Sequence, residues 1–212
     1  VKVPTRKQYP HIGRKKAAIT PAFWAKRYRE KTDEWDKGKP SPALVDFLRA
    51  SNYQTGRIIV PGCGRGHDAR ALAKAGFEVL GVDVAEMPVR DASVLAQRAR
   101  LKNIRFEQGN FFDLPGKYAG EFDWMFEHTF FCAIDPAWRD RYVATAATLL
   151  RKDGWLLGVF YNIQPESGPP FGCTREELFE RFSPQFTLWH EQVPRSFPNR
   201  AGKELLMLWQ RK

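Results

Sequence analysis

Ile58-Ile59-Val60-Pro61-Gly62-Cys63-Gly64-Arg65-Gly66-His67-Asp68 is the stretch that decides the fold of this 212-residue chain. An apolar run passes into three glycines at alternate positions and then into a helix start. Glycine suits such a loop because the backbone must turn sharply and approach a ligand with no Cβ in the way. Seventeen residues beyond Gly66, a second apolar run ends on a carboxylate in Gly81-Val82-Asp83. Strand, glycine loop, helix, strand and terminal acid in this order open a doubly wound α/β fold.

Working outward, short apolar runs keep alternating with amphipathic stretches, the pattern of a mostly parallel sheet with crossover helices. Strands are expected at Arg57–Val60, Phe77–Val82, Ile104–Gln108, Glu121–Phe126 and Trp155–Tyr161. Helices are expected at His67–Lys74, Pro88–Leu101 and Pro136–Leu150, the last capped by Asp135. Thr174-Arg175-Glu176-Glu177 resembles a capping box and starts a further helix. Phe186–Val193 and Glu204–Gln210 follow as closing strands with no helix between them. They complete a seven-stranded sheet and imply an antiparallel strand at its edge. Pro21–Lys31 and Pro42–Ala50 read as two helices ahead of the core, placed to lie across the open carboxyl edge as a lid. The chain thus divides into a basic tail over 1–20 and one domain over 21–212, with a helical cap at 21–50 and an α/β core at 57–212.

A carboxylate at the end of the second strand can accept hydrogen bonds from both hydroxyls of an adenosine ribose, which makes Asp83 a candidate ligand contact. The loop spacing is G-x-G-x-G and not the G-x-G-x-x-G of pyrophosphate binders, so Gly62, Cys63 and Gly64 suit the methionine part of S-adenosylmethionine better than a dinucleotide. After the third strand, Gly109-Asn110-Phe111-Phe112-Asp113 offers Asn110 to an adenine amino group and Phe111 to the ring face. Phe111 and Phe112 fit a packed core equally well.

The fourth strand carries Phe122-Asp123-Trp124-Met125-Phe126-Glu127-His128-Thr129-Phe130-Phe131-Cys132-Ala133-Ile134. This stretch resembles the D-Y-T-F-F-C-A-[IL] of the halide/thiol methyltransferases in the thiopurine S-methyltransferase superfamily. Gly168-Pro169-Pro170-Phe171 resembles that group too, as does Trp24-x-x-x-Tyr28 followed by Trp35-Asp36-x-Gly38-x-Pro40-x-Pro42. The resemblance spans about residues 20–212. It implies a Rossmann-like class I methyltransferase that moves a methyl group to a thiol, sulfide, thiocyanate or halide. By that likeness Trp24 and Trp35 close over the cofactor, and Glu127 and His128 lie beside its methionine end. The group usually has Asp-Tyr where this chain has Glu127-His128, and Asp where it has Asn110.

The chemistry asks little of the protein. The sulfonium methyl is already activated, so in-line alignment supplies most of the catalysis, and no metal is needed. A thiol leaves a useful thiolate fraction at neutral pH. Aromatic walls favour a cationic sulfonium and exclude water, with Phe130, Tyr161 and Phe171 expected on the substrate side. His128 is the candidate base near the methyl, or else a residue that only bonds the backbone or cofactor. Arg195 and Arg200 sit in a proline-rich loop; they have the charge to attract an anionic substrate, although a solvated loop explains them more simply.

Composition narrows the classes. Hydrophobic residues make up 43% of the chain, with seven Trp, enough for a sizeable core. No apolar run is long enough to span a bilayer, and no signal-peptide apolar region opens the sequence. Cys63, Cys132 and Cys173 are odd in number and widely spaced, and His11, His67, His128 and His190 show no ligand spacing. A reducing cytoplasmic setting follows. Residues 1–20 supply six of the ten net positive charges, leaving an ordinary body. A nucleic-acid partner is therefore not expected, and a monomer is favoured. Two alternatives stay open: a methyltransferase acting on RNA or protein, and a catalytically silent binder of S-adenosylmethionine.

Overall fold

The crossover pattern decides where each apolar run ends up. In the computed structural model, which describes residues 19–50, 52–165 and 167–212, α1 (Pro21–Arg29) and α2 (Pro42–Ala50) come first. β1 (Arg57–Pro61), α3 (His67–Lys74), β2 (Glu78–Asp83), α4 (Glu86–Arg98) and β3 (Ile104–Gln108) follow. After a short α5 (Pro115–Tyr118) come β4 (Phe122–His128), α6 (Arg139–Leu149) and β5 (Leu150–Tyr161), then α7 (Arg175–Phe182), β6 (Phe186–Gln192) and β7 (Glu204–Arg211). The basic stretch read over 1–20 lies outside the described residues except for Ile19 and Thr20, and the Thr20 hydroxyl caps α1 by accepting from Phe23 N.

All seven strands form one sheet in the order β3-β2-β1-β4-β5-β7-β6. β1 pairs parallel with both β2 and β4, and β4 pairs parallel with β5. The antiparallel pairing expected near one edge is present. Its reversed strand is β7, inserted between β5 and β6, so that β6 forms the edge.

Boundaries move where tertiary contacts extend an element. β4 runs on past Phe126 because Glu127 and His128 pair with Gly158 and Val159. β5 starts at Leu150 and takes a register shift against β4 before Trp155. α4 begins at Glu86, two residues ahead of Pro88, which still lies in the first turn where its missing N–H costs nothing. The helix expected from Pro136 opens as a 3-10 turn at Pro136–Trp138, with the Asp135 carboxylate accepting from Ala137 N at 2.9 Å, and becomes α-helical at Arg139.

Both faces of the sheet are covered. On one, Leu44 of α2, Leu72 of α3 and Phe77 of the turn after α3 pack against Ile58, Trp124 and Phe126. On the other, α6 and α7 bring Tyr142, Val143, Leu178 and Phe182 against Met125, Leu156, Phe160 and Trp209. With the helices on two faces, the carboxyl ends of β1, β2 and β4 remain open for the site.

Candidate active site

The chain leaves β1 toward β2 on one side and returns in β4 on the other, so the crevice beyond these strands is the switch point where open α/β sheets bind ligands. A cavity of about 290 Å3 lies there. Its floor comes from the ends of β1 to β4: Gly62, Asp83, Gly109, Phe111 and the turn Thr129–Ile134. Tyr161, Pro169, Pro170 and Arg200 form the far wall, and Trp24, Tyr28 and Trp35 form the roof.

The glycine loop does what its residue types require. Gly62 has φ +59°, and a Cβ there would lie 2.7 Å from Phe130 Cδ2. Asp83 is buried except for its face on the cavity; its Oδ2 accepts from Gly64 N at 3.0 Å and its Oδ1 from Ala85 N at 2.9 Å. Burial raises its pKa against these backbone donors. A carboxylate has about four acceptor positions, so acceptor capacity remains for a ligand.

The roof is tied to the loop by charge. Arg65 pairs with Asp33, with Asp36 at 2.8 Å and with Asp91 at 3.4 Å, while its guanidinium covers the Tyr28 ring at 5.3 Å. His67 meets Asp36 at 3.0 Å, and Asp68 accepts from Ser41 N at 2.6 Å. These bonds hold Trp35 edge-on to Trp24 at 5.3 Å and to Tyr28 at 5.6 Å.

Two acidic clusters stand behind the cavity. Glu127 is fully enclosed; its Oε1 accepts from Phe130 N and Phe131 N, each at 2.9 Å, and its Oε2 from the Tyr142 hydroxyl at 2.7 Å. Burial nonetheless raises its pKa. The bonds fix the turn after β4, in which Thr129 holds a left-handed φ of 66°. The second cluster joins four elements. His128 Nδ1 lies 2.8 Å from Asp68, and its Nε2 lies 3.9 Å from Glu204 Oε1 and 3.2 Å from Arg200 Nη1. Arg200 Nη1 also reaches Glu204 Oε1 at 3.3 Å, Nη2 donates to Trp35 O at 3.4 Å, and the guanidinium covers the Tyr161 ring at 5.5 Å. Burial alone would lower the His128 pKa, but Asp68 and Glu204 outweigh it and hold the ring at about 9. Burial likewise disfavours the Glu204 charge, yet His128, Ser196 and Arg200 keep its carboxyl below the usual range.

Of the residues read from the sequence, Trp24, Trp35, Gly62, Asp83, Phe111, Phe130 and Tyr161 share the main cavity. Cys63, Gly64 and His128 line a smaller cleft behind the loop. Asn110, Glu127 and Phe171 line neither. The Asn110 side-chain oxygen, expected on adenine, instead caps a 3-10 turn by accepting from Phe112 N at 3.2 Å. Phe171 packs behind Pro169 and Pro170, its N–H donating to Cys132 O and its carbonyl accepting from buried Arg139. His128, the candidate base, has its Nδ1 on Asp68 and its Nε2 facing Arg200 Nη1, so protein groups engage both ring nitrogens. Tyr28 and Arg200 are cavity residues that the sequence reading placed elsewhere or passed over. Arg195 does lie in a solvated loop, paired with Asp46, whereas Arg200 is buried. Its spacing of four from Glu204 was the available signal.

Among the described residues, no group of three or more His, Cys, Asp or Glu is arranged to hold a metal ion, and no helix is long and apolar enough to cross a membrane.

A family model for thiopurine S-methyltransferase matches residues 19–204. Thiocyanate methyltransferase 1 of Arabidopsis thaliana is 31% identical over 193 residues, covering 89% of this chain and 84% of that protein. Thiopurine S-methyltransferase of Pseudomonas aeruginosa (strain UCBPP-PA14) is 30% identical over 171 residues, covering 74% and 78%. Among solved structures, the 1,6-didemethyltoxoflavin-N1-methyltransferase of Burkholderia thailandensis, bound to 1,6-didemethyltoxoflavin and S-adenosylhomocysteine, superposes with a TM-score of 0.76 at 24% identity, over 95% of this chain and 93% of that one. The sheet order, the glycine loop with its acid, the aromatic roof and these matches agree: the chain belongs to the thiopurine S-methyltransferase family and is an S-adenosylmethionine-dependent S-methyltransferase.

Proposed function

We propose that the chain methylates a small soft nucleophile, a thiolate, hydrosulfide, thiocyanate or halide, taken up as an anion at the Arg200 end of the cavity. The observation that carries this reading is the Arg200 guanidinium: buried, on the cavity wall, and stacked on Tyr161 beside Pro169 and Pro170. A buried guanidinium on a wall of Tyr161 and two prolines offers positive charge to a small anion.

The residues present fit the cofactor. Gly62, lacking a Cβ, lets Phe130 close on the loop, and Asp83 presents acceptor capacity to ribose hydroxyls. Phe111 flanks the adenine, and Trp24 and Trp35 close the roof. When bound, S-adenosylmethionine supplies a methyl group activated on a sulfonium. The protein's part is then orientation and exclusion of water. Phe130 and Tyr161 wall the acceptor, and Arg200 holds it. Cys63 and Gly64 shape the loop, Glu127 fixes the turn carrying Phe130, and Phe171 backs the proline wall. Asn110 supports Phe111 through its capping bond. The three cysteines are free thiols, which suits a cytoplasmic setting.

The test is S-adenosylhomocysteine release by purified protein given S-adenosylmethionine with hydrogen sulfide, a small aromatic thiol, thiocyanate or iodide. Turnover with one or more of these is expected. Silence across the panel with cofactor binding intact would overturn the reading and point to a larger acceptor or a silent binder.

A further inference from the structure

Among the described residues Arg139 is the most deeply enclosed cation, 2% exposed at the start of α6, and methyl transfer as derived above gives it no part. Its Nη1 donates to both oxygens of Glu177 on α7, at 2.8 and 2.9 Å, and its Nη2 donates to Phe171 O and Gly172 O, each at 3.0 Å. The guanidinium also covers the Phe131 ring at 4.6 Å. One side chain thereby joins α7, the turn after β4 and the segment that follows β5. A buried ion pair adds little net stability over apolar packing of the same volume, so what this one supplies is fixed geometry.

That geometry lies at the acceptor end of the cavity. Pro169 and Pro170 stand on the cavity wall, directly ahead of the two carbonyls that Arg139 holds. The same segment is tied to two other lining residues: Phe171 N donates to Cys132 O at 2.6 Å, and Cys173 N to Tyr161 O at 3.2 Å. Gly172 lies so close to the Ile163 carbonyl that a Cβ would have no room, so the segment folds back onto its own start. The planar fork of a guanidinium can hold a carboxylate and two adjacent carbonyls in set directions, which an ammonium does less well.

We infer that Arg139 is a positioning residue that sets the size of the acceptor corner, by fixing the segment on which Pro169 and Pro170 stand. This rests on the methyl-transfer reading of the cavity and deepens it. A wall held close keeps a small acceptor in line with the methyl group, and a wall released favours a larger one.

The experiment uses Arg139→Met and Arg139→Lys in the full chain. Met keeps the length of the side chain and its contact with Phe131, and Glu177 stays paired with Arg181 at 2.9 Å. With S-adenosylmethionine, Arg139→Met should lose about tenfold or more in kcat/KM for hydrogen sulfide and clearly less for thiophenol. Its Kd for S-adenosylhomocysteine should stay within about twofold of the parent, because the cofactor end is untouched. Amide exchange at Phe171, Gly172 and Cys173 should speed up by about tenfold or more, with the amides of β4 and β5 unchanged. Arg139→Lys should fall between parent and Met on both measures, and it decides the matter if the Met variant does not fold. Equal losses on the two acceptors overturn the inference, as does unchanged exchange at the three amides. If the parent turns over neither acceptor, the proposed function fails alone, and amide exchange still decides whether Arg139 holds the wall.

Discussion

Glu127 shows how far a single enclosed side chain can be held to account. Its carboxylate accepts three hydrogen bonds and has no solvent to replace any of them. Glu127→Ala strands Phe130 N, Phe131 N and the Tyr142 hydroxyl together, each at roughly 1–3 kcal/mol when left buried without a partner, besides the cavity it opens. A loss of at least about 3 kcal/mol is expected, large for any single change. Tyr142→Phe removes one donor from the same carboxylate and should cost about 1.5–3 kcal/mol, the range for a bond to a charged group. Glu127→Gln keeps an oxygen for the two backbone donors and turns an amide toward Tyr142, whose hydroxyl also accepts. It should cost less than either. Urea unfolding followed by tryptophan fluorescence measures all three; in a domain of this size each 1 kcal/mol also moves Tm by about 2–4 °C. If Glu127→Ala fell within about 0.5 kcal/mol of the parent, or Glu127→Gln proved the worst of the three, the hydrogen-bond account of the turn after β4 would be refuted.

Two further outcomes follow from geometry already described. Gly62→Ala combines a left-handed φ, costing about 1–2 kcal/mol in a residue with a Cβ, with displacement of Phe130 into the cavity; S-adenosylhomocysteine affinity should fall by about tenfold or more, and an unchanged calorimetric Kd would contradict the cradle. The raised His128 pKa also makes stability pH-dependent: the folded ring binds its proton more tightly than the unfolded one, so its contribution is complete below the ordinary value near 6.5 and is lost as pH rises through about 9. That contribution is about 2–4 kcal/mol; subtracting the profile of His128→Gln removes the background from the buried thiols, and a difference that stays constant from pH 6 to 9.5 would refute it.

The sequence by itself determined the strand and helix alternation and the glycine loop with Asp83. These are local: an apolar run, a left-handed turn and an acid at a strand end each leave their mark within a few residues. It also carried the aromatic roof, because Trp24 and Trp35 sit in segments that resemble the family. The tertiary structure decided the rest. Strand β7 lies inside the sheet because β5 and β6 each bond to it, which the apolar pattern of three short runs does not specify. Glu127 and Asn110 look like ligand contacts along the chain, yet Glu127 Oε1 and Asn110 Oδ1 accept from backbone N–H groups a few residues on, and Glu127 Oε2 from the Tyr142 hydroxyl. Arg200 and Arg195 stand in one proline-rich loop with the same charge. Only the fold turns one outward to Asp46 and folds the other under Trp35, onto Tyr161 and against His128, because burial depends on elements 39 to 165 residues away in the chain.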